Sequence, residues 1–182
     1  MPWSPLAHLP APLHAVAAGI RLACFDVDGT LTDGRLYYDH AGNESKAFFV
    51  QDGLGLKLLQ KHGIHPVLIT ARNSLSAQRR GADLGIDTHI AVADKLASVR
   101  ALCSQRGIGL EQVMFMGDDL PDLAALRAVG LAVAPANAHP LIVAHAHWQT
   151  SAAGGRGAAR QVCDALLAAQ GKLDAAVAEY AQ

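Results

Sequence analysis

Residues 22–30 read Leu22-Ala23-Cys24-Phe25-Asp26-Val27-Asp28-Gly29-Thr30, an apolar run that ends in two carboxylates. The run has the length of a buried strand, and the Gly-Thr pair after it favours a turn. Both acids would then lie at the carboxyl end of the strand, where open α/β sheets bind their ligands. Two carboxylates so close repel each other unless a cation or a proton lies between them. Because Mg²⁺ prefers oxygen ligands and a carboxylate can attack phosphorus, the stretch predicts a Mg²⁺-dependent phosphoryl-transfer site.

The rest of the chain alternates apolar strands with helical patterns, which is typical of a parallel sheet covered by helices on both faces. We predict an α/β fold, a single doubly wound parallel sheet within residues 21–170. The predicted strands are Arg21–Phe25, Pro66–Thr70, Thr88–Ala91, Val113–Met116 and Leu131–Ala134. The predicted helices are Leu54–Lys61, Ser74–Leu84, Lys95–Arg106, Pro121–Ala128, Pro140–His145 and Arg156–Gln170. Residues 1–20 are predicted to be a loose, proline-rich N-terminal arm with a short helix over 13–19, and residues 171–182 a C-terminal tail.

One segment departs from this alternation. Two β-rich runs, residues 35–38 and 45–50, flank a loop that contains Gly and Asn, and this pattern predicts a β-hairpin. Because the hairpin follows the acidic strand end directly, we expect residues 34–51 to form a flap over the site. Only 41 residues separate Asp28 from Thr70, and only 24 separate Thr70 from Lys95. Neither gap can hold a separate cap domain.

Composition excludes several classes of function. The 182 residues are 51% apolar and 5% aromatic, with a formal net charge of −1. We therefore expect one globular domain, with no basic surface for nucleic acid and no membrane span. The three cysteines lack zinc spacing and are expected to be buried free thiols in a reducing compartment. The proline-rich start has no Lys or Arg before Arg21, unlike a secretory signal, so we predict a cytoplasmic protein.

Three further clusters fall at the ends of predicted strands. They are Thr70-Ala71-Arg72, Asp94-Lys95 and Gly117-Asp118-Asp119-Leu120-Pro121-Asp122. Strand ends of one sense meet at one edge of a parallel sheet, so these groups should lie near Asp26.

Each group has a role in phosphoryl transfer. Asp26 would attack phosphorus in line, and Asp28 would protonate the leaving oxygen and later activate water. A covalent aspartyl phosphate follows from these roles. Thr70 can donate a hydroxyl hydrogen bond and Lys95 an ammonium hydrogen bond to the transferred group. Asp118, together with either Asp119 or Asp122, would complete the Mg²⁺ shell directly or through water.

These residues resemble a known family. The run Asp26-Val27-Asp28-Gly29-Thr30, with Thr70, Lys95 and Gly117-Asp118-Asp119, resembles the haloacid dehalogenase superfamily. Longer stretches resemble its capless 3-deoxy-D-manno-octulosonate 8-phosphate (KDO 8-phosphate) phosphatases. These stretches lie at residues 28–34, 46–53, 69–72, 117–122 and 154–160, and the resemblance covers about residues 21–167.

The resemblance implies a Rossmann-like fold and a Mg²⁺-dependent phosphatase of a sugar-acid phosphate, most specifically KDO 8-phosphate, in lipopolysaccharide biosynthesis. By it, Asp26 is nucleophile and metal ligand, Asp28 is acid/base with its backbone carbonyl on the metal, and Asp118 is a metal ligand. Thr70 and Lys95 hold the phosphoryl group. Asp119 and Asp122 are candidates to contact the metal ligands rather than the ion.

The resemblance also implies a homotetramer whose flaps join subunits and close the pockets. Leu36, Tyr37, Phe48 and Phe49 give the flap apolar surface for such a contact, or else pack on their own domain. The chain end in the resembling family approaches a neighbouring active site, so Arg156 would bind the substrate carboxylate there, and Arg72 is the second candidate for that contact. Arg156 lies in a Gly-rich loop that could also present backbone N–H groups to an anion.

Alternative functions stay open at this point. The substrate could be another acid-sugar phosphate, such as that of a nine-carbon 2-keto acid. A receiver-type signalling domain also phosphorylates an aspartate beside Mg²⁺, but its phosphorylated residue lies on a later strand. A non-catalytic oligomerisation module of the same fold would not need the intact set of Asp26, Asp28, Thr70, Lys95 and Asp118.

Overall fold

The central feature of the computed structural model, which describes residues 4–181, is a six-stranded parallel sheet. The strands in chain order are β1 Leu22–Phe25, β2 Tyr37–Tyr38, β3 Glu44–Ser45, β4 His65–Ile69, β5 Asp87–His89, β6 Val113–Met116, β7 Leu131–Ala134 and β8 Trp148–Gln149. The sheet has the order β5-β4-β1-β6-β7-β8, and every neighbouring pair is parallel. Strands β2 and β3 form a separate two-stranded ribbon.

Helices cover both faces of the sheet. They are α1 His14–Ala18, α2 Val50–Lys61, α3 Leu75–Leu84, α4 Lys95–Arg106, α5 Leu123–Leu126, α6 Pro140–Val143, α7 Ala158–Ala169 and α8 Leu173–Ala178. Alternate residues of β1 face opposite sides. Ala23 and Phe25 pack in one buried cluster with α2 and α7, whereas Leu22 and Cys24 pack in a second cluster with α4. The predicted doubly wound α/β fold is confirmed.

The order of the strands places the site. From β1 the chain moves to β4 and β5 on one side, and from β6 it moves to β7 and β8 on the other. The crevice between the carboxyl ends of β1 and β6 is therefore the point where the connections diverge, and such a crevice is where doubly wound sheets bind ligands. Asp26 directly follows β1, and Asp118 lies two residues beyond the end of β6.

The predicted hairpin is confirmed, although each strand has only two residues. Tyr37 pairs with Ser45 and Tyr38 pairs with Glu44. Its loop is fixed by the Asp39 carboxylate, which accepts the N–H groups of residues 41 and 43 at 2.9 and 2.8 Å. Between β1 and β4 the chain forms only this flap and α2, so the structure has no separate cap domain there.

Both ends of the described chain form turns or helices, and their packing on the domain was not indicated by the sequence. The arm forms 3₁₀ turns at Pro5–His8 and Ala11–Leu13 before α1, and Pro5 and Leu9 are buried. The expectation of a loose arm is therefore wrong from residue 5 onward, whereas the short helix expected over residues 13–19 is present as α1. Residues 1–3 lie outside the described residues. In the tail, α8 buries Ala176, and Glu179 forms a 2.6 Å ion pair with Lys61 of α2. Residue 182 of the predicted tail also lies outside the described residues.

Smaller differences concern element boundaries. Helix α2 begins at Val50 rather than Leu54, β5 ends at His89 rather than Ala91, and the two-residue strand β8 was missed. Ala91 adopts a left-handed φ of 55°, which ends the strand early. All three cysteines are free and buried, as predicted. Across residues 4–181, we find no helix that combines the length and the apolar character needed to cross a bilayer.

Candidate active site

The residues predicted from the strand ends meet in one pocket of about 290 Å³. It is lined by Asp26, Asp28, Gly34, Thr70, Ala71, Arg72, Lys95, Asp118, Asp119, Pro121 and Asp122. Of the nine residues that the sequence singled out, eight line this pocket, and Arg156 does not.

Lys95 joins two of the carboxylates at the base of the pocket. It is the first residue of α4, which Asp94 caps by accepting the N–H of Ala97 at 2.9 Å. Its Nζ donates to Oδ1 of Asp26 and to Oδ1 of Asp122, both at 2.5 Å, and all three side chains are buried. Burial alone would lower the pKa of Lys95, but the two carboxylates outweigh it and hold the pKa above its ordinary value. The ammonium therefore stays charged beside Asp26.

Three carboxylates could hold a metal ion here. Asp26, Asp118 and Asp122 each offer an oxygen, and these atoms lie within 4.8 Å of one another. Asp122 is already engaged, because its Oδ1 accepts from Lys95 and its Oδ2 accepts the N–H groups of Asp118 and Asp119 at 3.1 and 3.3 Å. Asp119 lines the pocket but is not part of this group of three, and its Oδ1 accepts the N–H of Leu120 at 2.8 Å. Asp26 and Asp118 are thus the carboxylates that can bind a cation directly.

The electrostatics of this cluster fit a divalent cation. Burial and the negative charge of Asp122 raise the pKa of Asp118 to about 6. The same two causes raise the pKa of Asp26 well above its ordinary value. Raised pKa values in this cluster mean that the cost of burying the charges, together with their mutual repulsion, is incompletely balanced, and Mg²⁺ would balance both through the oxygen ligands that it prefers. The residues present therefore fit the ion.

The turn after β1 brings Gly29 and Thr30 against Asp118. Gly29 has a φ of +86°, and a Cβ at this position would overlap the Asp118 carboxylate. The hydroxyl of Thr30 donates to Oδ1 of Asp118 at 3.4 Å, and the hydroxyl of Thr32 accepts the N–H of Gly29 at 3.2 Å. The Gly-Thr pair of the motif thus has two roles: Gly29 leaves room for the Asp118 carboxylate, and Thr30 donates a hydrogen bond to it.

Thr70 follows β4 and is buried, with its backbone tied to β5 through an N–H bond to the carbonyl of His89 at 2.9 Å. Its Oγ1 accepts the N–H of Arg72 at 3.2 Å. The hydroxyl proton is therefore available to a ligand in the pocket.

The flap reaches the site through two side chains that sequence reasoning did not assign. Lys46 donates to Oδ1 of Asp28 and lies 3.0 Å from Oε1 of Glu44, and its side chain is fully buried. Glu44 in turn accepts from Arg72, which also contacts the hydroxyl of Tyr38 at 3.3 Å. The signals available for Lys46 were its place in the second run of the predicted hairpin and in a stretch that carried the family resemblance.

Arg156 lies elsewhere. It lines a separate cavity of about 410 Å³ with Asp33, Ala47, Phe49 and Gly155. The expectation that backbone N–H groups of the Gly-rich loop bind an anion is wrong, because those groups are used within the chain, whereas the role of the Arg156 side chain toward a neighbouring site stays a prediction. Gly154 donates to Oδ1 of Asn137 at 2.6 Å, and Gly155 donates to the carbonyl of Thr30 at 3.1 Å. The glycines serve close packing against the turn after β1, where a Cβ at Gly154 would overlap the backbone of Gly29.

Comparisons with known proteins agree with this geometry. A family model described as haloacid dehalogenase-like hydrolase matches residues 90–161. The chain is 45% identical over 168 residues to the 3-deoxy-D-manno-octulosonate 8-phosphate phosphatase KdsC of Escherichia coli, covering 91% of this chain and 89% of that protein.

Two solved structures are also similar. A hypothetical protein of Xanthomonas campestris is 64% identical with a TM-score of 0.98, covering 100% of both chains. A 3-deoxy-D-manno-octulosonate 8-phosphate phosphatase of Moraxella catarrhalis, in complex with magnesium ion, phosphate ion and KDO, is 40% identical with a TM-score of 0.90, covering 93% of this chain and 98% of that chain.

Proposed function

The chain belongs to the KDO 8-phosphate phosphatases of the haloacid dehalogenase superfamily, and we propose that it hydrolyses KDO 8-phosphate to KDO and inorganic phosphate through an aspartyl phosphate at Asp26. The observation that carries the proposal is the ion pair of buried Asp26 and Lys95 beside half-buried Asp118, at the crevice between β1 and β6. It places a nucleophile, a fixed cation and a second metal ligand at the point where this fold binds ligands.

Asp26 is positioned for attack on phosphorus. Lys95 holds Oδ1, and since Asp26 lines the pocket, the other carboxylate oxygen is left for the attack. The attack forms a bond between a carboxylate oxygen and phosphorus while the bond from phosphorus to the sugar oxygen breaks. The ammonium of Lys95 and the hydroxyl of Thr70 hold the oxygens of the transferred group, on which charge is spread.

Asp28 handles the proton in both steps. It first gives a proton to the departing sugar oxygen, and it then takes one from the water that hydrolyses the aspartyl phosphate. The enzyme uses Mg²⁺, which Asp26, the backbone carbonyl of Asp28 and Asp118 would hold, and which when bound supplies charge stabilisation at the phosphoryl oxygens. Asp122 keeps Lys95 and the turn of Asp118 in place through the hydrogen bonds described above.

Selectivity for a sugar acid needs cations near the mouth of the pocket. Arg72 lines the pocket, and we assign it to the substrate carboxylate within the chain. Arg156 points to a different cavity, so it can meet a substrate only in a neighbouring subunit. Leu36, Tyr37 and Tyr38 of the flap are 42%, 45% and 59% exposed, whereas Phe48 packs on its own core. The exposed part of the flap supports a homotetramer in which flaps join subunits.

The biological setting follows from the proposed substrate. KDO is a sugar of lipopolysaccharide, so the enzyme would act on a soluble precursor in the cytoplasm during lipopolysaccharide biosynthesis. A phosphate of a nine-carbon 2-keto acid would use the same catalytic groups, and the two substrates differ in the length that the mouth of the pocket must accept.

The test is a comparison of sugar phosphates. With Mg²⁺ present, we expect the highest kcat/KM for KDO 8-phosphate, lower values for the nine-carbon acid phosphate, and much lower values for neutral hexose phosphates. Asp26→Asn should be inactive on all of them. A preference for neutral sugar phosphates would refute the proposed substrate, and phosphatase activity that survives in Asp26→Asn would refute the mechanism.

A further inference from the structure

The two oxygens of the Asp28 carboxylate have different surroundings. Oδ1 accepts from the ammonium of Lys46. Oδ2 is buried and, within residues 4–181, has no hydrogen-bond partner, and Nε of Arg72 lies 4.0 Å from it. A buried carboxylate oxygen normally has a partner, so an oxygen left free at a reaction site calls for an explanation.

The Lys46 ammonium is held in place by burial and by two carboxylates. Its side chain has no exposed surface and its Nζ lies between the carboxylates of Asp28 and Glu44. Glu44 is itself fixed by Arg72 and by its pairing with Tyr38 in the flap. Asp28, Lys46, Glu44 and Arg72 thus form a ring of alternating charge that joins the flap to the pocket.

We propose that Lys46 is a positioning residue, which fixes the Asp28 carboxylate through Oδ1 and so presents Oδ2 to the leaving oxygen of the substrate. The inference rests on the proposed role of Asp28 as the acid of the first step. In that step the O–H bond on Oδ2 breaks, a new O–H bond forms on the sugar oxygen, and the bond from that oxygen to phosphorus breaks. Proton transfer of this kind needs the donor oxygen within hydrogen-bond distance of the acceptor.

The flap thereby becomes part of the catalytic geometry. Because Lys46 and Glu44 belong to the flap while Asp28 and Arg72 belong to the sheet edge, the carboxylate is oriented only when the flap lies on the pocket. Ser76 on α3 supports this position, since its hydroxyl donates to the backbone carbonyl of Glu44 at 3.4 Å.

The test compares two substrates of similar size that both lack a carboxylate. The phenolate of p-nitrophenyl phosphate leaves with little help from an acid, whereas the alkoxide of p-nitrobenzyl phosphate must be protonated. Lys46→Met keeps the length of the side chain and removes the donor. We expect it to lower kcat/KM for the benzyl ester by about 10- to 100-fold, as for a misplaced catalytic group, and to lower that for the phenyl ester by less than about threefold.

Three further variants test whether the effect comes from the hydrogen bonds of Lys46. Lys46→Arg, which can still donate to both carboxylates, should restore much of the lost rate on the benzyl ester. Glu44→Gln, which weakens the hold on Lys46, should shift the ratio of the two rates in the same direction by a smaller amount. Lys57→Met changes an exposed lysine of α2 and should leave the ratio unchanged.

Equal losses on both esters in Lys46→Met would overturn the inference while leaving the proposed function intact. Should Lys46→Met fail to fold, the test becomes the ratio of kcat/KM for the benzyl ester to that for the phenyl ester in Glu44→Gln. An unchanged ratio in that variant would overturn the inference as well. A wild-type enzyme that hydrolyses no alkyl phosphate at all would overturn both the inference and the proposed function.

Discussion

Replacing Lys95 by Met should expose how much the site depends on one buried cation. The ammonium contacts Asp26 and Asp122 at 2.5 Å, and its side chain is only 4% exposed. Met fills similar space but leaves three carboxylates within 4.8 Å of one another with no lysine between them. Removing one partner of a buried ion pair typically costs about 3–5 kcal/mol.

This range applies to the metal-free protein near neutral pH. For a domain of this size each kcal/mol lowers Tm by about 2–4 °C, so Lys95→Met should melt about 6–20 °C below the wild type. The loss should be smaller near pH 5, because carboxyls with raised pKa values then carry protons and repel one another less. Added Mg²⁺ should recover part of the loss, since it brings positive charge to the same carboxylates.

The assay is thermal unfolding of the wild type, Lys95→Met and Lys57→Met at about pH 5 and about pH 8, with and without Mg²⁺. Lys57→Met controls for the loss of a lysine at an exposed position of α2. If Lys95→Met melts within about 2 °C of this control at the higher pH, or shows the same deficit at both pH values, the reasoning on the buried charges is refuted.

Three other predictions concern the metal, the turn and the loop arginine. Proton and Mg²⁺ compete for Asp118, so the Mg²⁺ affinity measured by titration calorimetry should fall as the pH drops below about 6, and a pH-independent affinity would argue against this ligand. In the metal-free protein the pKa of Asp118 is about 6, against 3.8 in the unfolded chain. This difference stabilises the fold fully at pH values below 3.8, and the contribution is lost as the pH rises through about 6. Gly29→Ala should lower both stability and Mg²⁺ affinity. Gly63→Ala has a similar φ of +80° but nothing within 4 Å of the added Cβ, so it should lower stability alone. Equal Mg²⁺ affinities in the two variants would refute the contact with Asp118. Arg156→Ala should raise KM for KDO 8-phosphate and leave p-nitrophenyl phosphate turnover unchanged if subunits share sites, and equal losses on both would contradict that role.

The sequence was most informative where local pattern and chain order act together. An apolar run followed by Asp26, and the later clusters at Thr70, Lys95 and Asp118, all follow strands whose carboxyl ends must meet in a parallel sheet. Their convergence therefore needed no knowledge of distances. The element types were predictable for the same reason, since each long apolar or periodic segment has one dominant pattern.

What the sequence could not provide depends on packing between distant segments. The pairing of Lys46 with Asp28 requires the docked position of a hairpin whose strands are two residues long, and no periodicity encodes it. The difference between Asp118 and Asp122 lies in which carboxylate oxygens are already bonded, although both stand in the same short motif. The N–H groups of the Gly-rich loop before α7 were expected to face an anion, but they donate to Asn137 and Thr30, and only the packed structure shows this.

The proposed mechanism requires that the phosphoryl group pass through Asp26, and mass spectrometry of acid-quenched enzyme tests this directly. Enzyme mixed with Mg²⁺ and KDO 8-phosphate, and quenched during turnover, should carry one phosphoryl group on the peptide that contains Asp26. Rapid turnover with that peptide always unmodified, or with the phosphoryl group on another residue, would contradict the account.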